Sequence, residues 1–443
     1  MSHYSRQDIM RLVEEQDVRF IRLQFTDIFG ILKNVAIVAS ELGNVLDKGC
    51  TFDGSSIDGF ARVEESDMIL RPNLDTFAIF PWRPQQGKVA RLICDVLTTD
   101  GRPFEGDPRQ VLRKVLAEAG ALGYTFNVGP ECEFFLFNND DHGNPTTATT
   151  DVGGYFDLEP IGTGEDVRRE IIFALEDMGF LIEASHHEVA PSQHEIDFRF
   201  DEAMKAADNI LTFKLAVKSI ARRYGMHASF MPKPIPGVNG SGLHANLSLF
   251  KNGVNAFDDP ASPDGLSDLA RSFVAGLLEH ALGMSAVINP LVNSYKRLVP
   301  GFEAPCYIAW SAKNRSPLIR IPAARGESTR VELRSPDPAC NPYLMLALCL
   351  AAGLDGIKRG LKPAAPFDGN MYKLTGAERQ ARGIISLPTT LSDALDEMEK
   401  DSLVRQVLGD HIAVNYIAAK RQEWDRYRMS VSQWEFDEYL RKF

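Results

Sequence analysis

The 443-residue chain has no CxxC pair, no GxxxxGK[ST] loop, no internal repeat, no low-complexity tract and no apolar run long enough to cross a bilayer. Its six cysteines, Cys50, Cys94, Cys132, Cys306, Cys340 and Cys349, are scattered. That pattern predicts free thiols in a reducing cytoplasm and not a disulfide framework. The longest apolar candidate, residues 343–354, is too short to span a membrane and reads as a buried helix. The first residues lead into a charged, helix-like segment and not an apolar signal core, so a cytoplasmic location is expected. Basic charge is also in short supply. With 48 Lys+Arg against 60 Asp+Glu the formal net charge is -12, which leaves no basic footprint for nucleic acid. The glycines around Gly240 precede a strand rather than a helix, so a Rossmann reading fails its context test as the P-loop does.

What is present is an ordinary enzyme composition, 44% hydrophobic and 24% charged, on a chain long enough for two or three domains. Ser5 and Asp8 have capping-box spacing and open a short helix. Residues 18–26 and 31–37 alternate as strands around the turn Asp27-Ile28-Phe29-Gly30, and further strands fit residues 67–80 and 90–97. This mostly-β unit with one helix is large enough to be a domain. The polar cluster Thr98-Thr99-Asp100-Gly101-Arg102-Pro103 marks its end and gives domains at 1–103 and 104–443. Asp107-Pro108 is an N-cap with a first-turn proline. Helices are predicted after it and at residues 165–179, 202–224, 264–289 and 342–358, and over much of the last eighty residues. Strands fit residues 181–190 and 194–200, broken at Pro191, and then 226–231 and 243–250. Because strands and helices do not alternate strictly, an α+β fold is favoured over a doubly wound sheet.

Chemistry concentrates first in Gly129-Pro130-Glu131-Cys132-Glu133-Phe134-Phe135. Strand spacing aims Glu131 and Glu133 at one face, where two buried like charges require a cation or a shared proton. Further acceptors follow. Glu188 and Glu195 flank Pro191, and the break lets both turn inward. His244, Asn246 and Ser248 share one strand face while Leu243, Ala245 and Leu247 take the other. Arg330, Glu332 and Arg334 likewise alternate with Val331 and Leu333, although a plain ion pair would use the same spacing. Five glutamates and one histidine without ligating sulfur form a hard site suited to Mg²⁺ or Mn²⁺. Six ligands exceed what one open metal needs, so two metals and phosphoryl transfer are indicated. Arg297, Arg315, Arg320, Arg330 and Arg334 then supply guanidinium forks for phosphate and carboxylate.

These segments resemble bacterial type I glutamine synthetase. Besides the Glu131 strand, the resemblance rests on Phe52-Asp53-Gly54-Ser55-Ser56, Asn239-Gly240-Ser241-Gly242-Leu243-His244 and Asn293-Ser294-Tyr295-Lys296-Arg297-Leu298. It continues through Pro300-Gly301-Phe302-Glu303-Ala304-Pro305, Asn314-Arg315-Ser316 with Ile319-Arg320-Ile321-Pro322, and Arg330-Val331-Glu332-Leu333-Arg334. The length resembles the shorter, non-adenylylated branch, and Asn370-Met371-Tyr372-Lys373-Leu374 departs from the modification motif of the longer one.

The resemblance implies a small N-terminal β-grasp domain and a large catalytic domain with a curved antiparallel sheet and helices, assembled as a homo-dodecamer of two hexameric rings. It implies that ATP phosphorylates the γ-carboxylate of glutamate and that ammonia displaces the phosphate. By similarity Glu133, Glu188 and Glu195 hold one metal, and Glu131, His244 and Glu332 the other. Asn239, Gly240, Arg297, Arg315 and Arg334 would bind glutamate and the transferring phosphate; Glu183, Asn246, Leu247, Ser248, Arg315 and Arg320 would contact ATP. Glu303 would close over the intermediate and Asp53 would take a proton from ammonium, reaching the site from the small domain of a neighbouring subunit. Arg62, in Gly59-Phe60-Ala61-Arg62-Val63-Glu64, resembles the residue that confers feedback inhibition by glutamine. The C-terminal tail would meet a neighbour or a transcription regulator, as in some relatives. Two alternatives share this pattern: a γ-glutamyl-amine (polyamine) ligase on the same scaffold, and a non-catalytic regulatory relative. Asp53 together with Glu303 favours ammonia. The complete acidic set disfavours the non-catalytic reading, because mutually repelling glutamates have no use without a cation.

Overall fold

The computed structural model describes residues 4–57, 59, 66–158, 164–369 and 371–443. The first unit is a six-stranded sheet of β1 (Val18–Thr26), β2 (Leu32–Val38), β3 (Cys50–Asp53), β4 (Asp67–Pro72), β5 (Ala78–Ile79) and β6 (Lys88–Thr98), in the order β2-β1-β6-β4-β3 with β5 also on β6. β1 and β6 run parallel and the other pairs antiparallel. The helix Arg6–Glu15 starts at the capping box of Ser5 and Asp8. The strand group expected over residues 67–80 is β4, a 3-10 turn and β5, because the Asn73 side chain accepts from Asp75 N and turns the chain. β3, at the sheet edge, carries Asp53.

The second unit is a ten-stranded sheet around β7 (Tyr124–Asn138). The others are β8 (Ile182–His187), β9 (Gln193–Phe198), β10 (Asp201–Glu202), β11 (Met226–Ser229), β12 (Leu243–Lys251), β13 (Val254–Asn255), β14 (Trp310–Ser311), β15 (Ile319–Arg320) and β16 (Val331–Leu333). Their order is β14-β15-β16-β12-β7-β9-β8. β7 pairs with β12 along its first half and with β9 and β11 along its second. One strand therefore fixes the positions of three others. The two strands expected on either side of Pro191 are β8 and β9, paired as an antiparallel hairpin with Ser192 at φ 62 in its turn. The helix expected over residues 264–289 is two, Asp268–Glu279 and Ala281–Ile288, the first capped by Ser267 and the two meeting at His280.

The far face of β7 is apolar. Cys132 and Phe134 are fully buried, and Phe134 meets Phe213 of the helix Ala203–Arg223 at 5.9 Å. Each such ring contributes about 1.5–3 kcal/mol by leaving water. Pinning that face leaves Glu131 and Glu133 on the other.

The two units are joined by charge as well as apolar contact. Arg109, almost wholly buried, donates to Asp95 of β6 at 2.7 Å and to both oxygens of Asp208 at 3.1 and 2.7 Å, and Tyr343 Oη donates to Asp208 at 2.6 Å. Removing the guanidinium leaves Asp208 with the Tyr343 hydroxyl and no ion-pair partner, while Asp95 keeps only Arg113 at 3.0 Å. Arg109→Leu is expected to lower stability by about 3–5 kcal/mol, measured as a fall in the chemical-unfolding midpoint; an unchanged midpoint would refute the assignment.

Candidate active site

Register brings the acidic residues together. His244 of β12 lies opposite Glu131 of β7, Glu195 of β9 opposite Glu133, and Asn246 opposite Glu332 of β16. All but Asn246 line a cavity of about 380 Å³. His244 Nδ1 stands 3.1 Å from Glu131 Oε2 and 4.0 Å from Glu332 Oε1, and Nε2 is 3.9 Å from Glu133 Oε1. Two groups offer ligand atoms within 4.8 Å of one another, Glu131 with His244 and Glu332, and His186 with Glu188 and Glu195. Glu133 sits between them, its Oε2 accepting from Gln193 Nε2 and from Gly242 N, each at 2.8 Å.

The electrostatics fit divalent cations. Burial raises Glu131, but hydrogen bonds from His244 and Asn246 outweigh it and hold the carboxyl down at about 2. Burial and the Glu133 charge push Glu188 up to about 8, and the same two causes raise Glu195 well above the carboxylate range. Hard oxygen and imidazole donors that repel one another in this way are what a hard divalent ion neutralises.

The arginines complete the wall. Arg297 is buried and donates to Ser335 O at 2.7 Å and Arg334 O at 3.1 Å. Arg320 Nη1 donates to Glu332 Oε2 at 2.7 Å, and Arg334 bonds the other oxygen of the same carboxylate. The Nε of Arg334 is buried without a partner among the described residues. Arg315 lines the cavity and is held above the usual guanidinium value by its bond to Tyr155. Asn239 and Gly240 close one side; a Cβ on Gly240 would stand 2.1 Å from Pro232 O, so this backbone approach needs glycine. Glu303 sits on the rim at φ 59, next to Gly301 at φ 100.

A second cavity of about 370 Å³ adjoins the first, sharing Glu131 and Asp197. Glu183, Asn246 and Ser248 line it, with Arg330, whose Nε donates to Asn246 Oδ1 at 2.9 Å. Leu247 does not reach it: its side chain is fully buried on the opposite strand face, which leaves only its backbone. Asp53 lines neither cavity; it is exposed and accepts from Ser55 N and Oγ at 2.8 and 2.7 Å. Arg62 lies outside the described residues. Sequence reasoning missed Tyr155, His186 and Phe302, which also line the first cavity. His186 adjoins the pair His187-Glu188 and had a signal; Tyr155 had none beyond its neighbouring glycines.

The chain matches the family model for the glutamine synthetase catalytic domain over residues 105–439 and the model for its β-grasp domain over residues 17–99. It belongs to the glutamine synthetase family. The six-stranded unit is the family's β-grasp domain and the ten-stranded unit its catalytic domain. Curated glutamine synthetases of Clostridium saccharobutylicum, 62% identical over 100% of both chains, and of Staphylococcus aureus strain Mu50, 59% identical over 99% of both, are similar along their whole length. Among solved structures, a GmaS/ADP complex superimposes with a TM-score of 0.90 at 34% identity, over 98% of this chain and 99% of that one. Plasmodium falciparum glutamine synthetase gives 0.89 at 26% identity, over 99% of each. Among the described residues no helix is long and apolar enough to cross a membrane.

Proposed function

We propose that this chain joins ammonia to the γ-carboxylate of L-glutamate, with ATP as phosphoryl donor and γ-glutamyl phosphate as intermediate, giving glutamine, ADP and phosphate. The observation that carries this reading is the junction of two cavities at Glu131, one walled by repelling carboxylates and arginines and the other mostly by strand residues of β7, β8, β9 and β12. Mg²⁺ or Mn²⁺, bound by Glu131, His244 and Glu332 and by Glu133, Glu188 and Glu195, would supply charge neutralisation at the phosphates. His186 stands close enough to the latter group to join or orient it.

In this reading the adenosine of ATP occupies the second cavity against Glu183, Asn246, Ser248 and the Leu247 backbone, with its γ-phosphate directed past Glu131 toward Arg315 and Arg320. Glutamate lies on Asn239, Gly240, Arg297 and Arg334, the last offering an unpartnered buried Nε. Arg315 stabilises charge as the γ-phosphate moves to the carboxylate. Glu303 closes the rim and excludes water that would hydrolyse the acyl phosphate. Asp53, from a neighbouring small domain, takes the proton from ammonium so that free ammonia attacks.

We further propose the shorter, non-adenylylated branch, a domain boundary at 103/104, a cytoplasmic dodecamer of two hexameric rings, and contact with a regulator through the C-terminal tail. Tyr372, whose hydroxyl donates to Ala304 O at 2.9 Å, is engaged in the fold rather than displayed for modification. Phosphate release with ATP and glutamate, compared for ammonia and a panel of amines, tests the function: ammonia is expected to be preferred over every alkylamine and polyamine, and preference for a larger amine would move the protein to the amine-ligase reading. Feedback inhibition by glutamine is assigned to Arg62. Arg62→Ala is expected to leave turnover near wild type while weakening inhibition about tenfold, the size of one lost charge-assisted bond. Unchanged inhibition would remove that role.

A further inference from the structure

Lys233 has no part in the roles above, yet it stands between two of the segments they use. It is buried, and among the described residues it forms no ion pair with a carboxylate. Its Nζ instead donates to Val238 O, in the loop that leads to Asn239 and Gly240, and lies 3.8 Å from the centroid of the Phe302 ring, the residue before Glu303. Its backbone is clamped in both directions by Asn293, which accepts from Lys233 N at 2.8 Å and donates to Lys233 O at 3.0 Å. The ammonium is thus held on a rigid base. The loop it touches is strained, since Glu303 sits at φ 59, a region that costs a non-glycine residue of order 1–3 kcal/mol and persists only where its surroundings hold it there.

Burying a lysine without a counter-ion is unfavourable, and a plain packing role would be met by Leu or Met. A desolvated ammonium over an aromatic face gains attraction that neither could supply. The cation can also satisfy a carbonyl on one side and a π-face on the other at once. We propose that Lys233 is a positioning residue that ties the Asn239-Gly240 loop to the Phe302-Glu303 loop, so that substrate binding and closure over the acyl phosphate occur together. This rests on the ligase reading above. When the tie is cut, water reaches γ-glutamyl phosphate and the step becomes γ-glutamyl phosphate plus water giving glutamate plus phosphate, with ATP consumed and no glutamine formed.

The measurement is the ratio of phosphate released to glutamine formed, together with kcat and KM, on the assembled full-length enzyme. Wild type is expected to give a ratio near one. Lys233→Met, which keeps the stem, and Phe302→Leu, which keeps apolar bulk, are each expected to raise it to three or more and to lower kcat for glutamine about tenfold, with KM for ATP changed less than threefold. Lys233→Arg retains both cation and donor and should restore a ratio below two. If the contact is the cause, the double variant is no more uncoupled than the worse single one. A ratio near one in a folded Lys233→Met overturns the proposal, as does Lys233→Met that fails to fold while Phe302→Leu stays coupled; where Lys233→Met fails to fold, an uncoupled Phe302→Leu upholds it. A wild-type enzyme that forms no glutamine refutes the ligase reading instead.

Discussion

Glu131→Ala is expected to lower ATP- and glutamate-dependent phosphate release by about a thousandfold or more, the scale on which charge-stabilising groups act in a closed site. The reason is position. Glu131, with Asp197, lines both cavities, and its oxygens hold His244 at 3.1 Å and Asn246 Nδ2 at 2.9 Å. Its loss would therefore remove one donor proposed to hold a divalent ion and release the side chains that orient it. Exhaustive chelation of wild-type protein should produce a comparable loss, reversed by Mg²⁺ or Mn²⁺, and ADP should form only when glutamate is present. The fold is expected to survive, because the apolar face of β7 keeps its packing and Asn246 keeps Gly129 O and Arg330 as partners. Circular dichroism and particle mass should match wild type. Full activity in the variant after chelation would sink the metal assignment.

Mixed particles assembled from Asp53→Ala and Glu303→Ala subunits, each nearly inactive alone, are expected to recover about a quarter of the wild-type sites, as random pairing in a head-to-tail ring requires. Asp53 stands on the edge strand β3, exposed and away from both cavities, whereas Glu303 is on the rim of the first. A role for Asp53 in catalysis thus requires the next subunit to bring it. A heterologous contact repeated around a ring does so for every site. Sites complete within one chain would recover nothing. Mixed particles of verified mass that remain as inactive as their parents would end the proposed role of Asp53 across the interface.

Glu131, Glu133, His244, Asn246 and Glu332 are legible in the chain because strand geometry has a period of two. A polar residue alternating with Cys132, Phe134, Leu243 or Val331 must share a face with its next-but-one neighbour, and those four apolar residues are all buried. The charge conflict needs no structure either, since several acidic residues on apolar strands imply a cation wherever the strands lie. The β-grasp and catalytic units follow from the run of motifs, and the capping box at Ser5 from local hydrogen bonding alone. Tertiary structure decided what depends on the meeting of distant segments. It paired the two strands on either side of Pro191 as a hairpin and set Glu195 opposite Glu133. It placed Tyr155 against Arg315, brought His186 beside Glu188, and set Lys233 under Phe302. Alternation says which face a side chain takes, but only the packing of β7 on the helix Ala203–Arg223 says which faces look at one another; that is settled by apolar burial spread over the whole core and not by any short stretch of sequence.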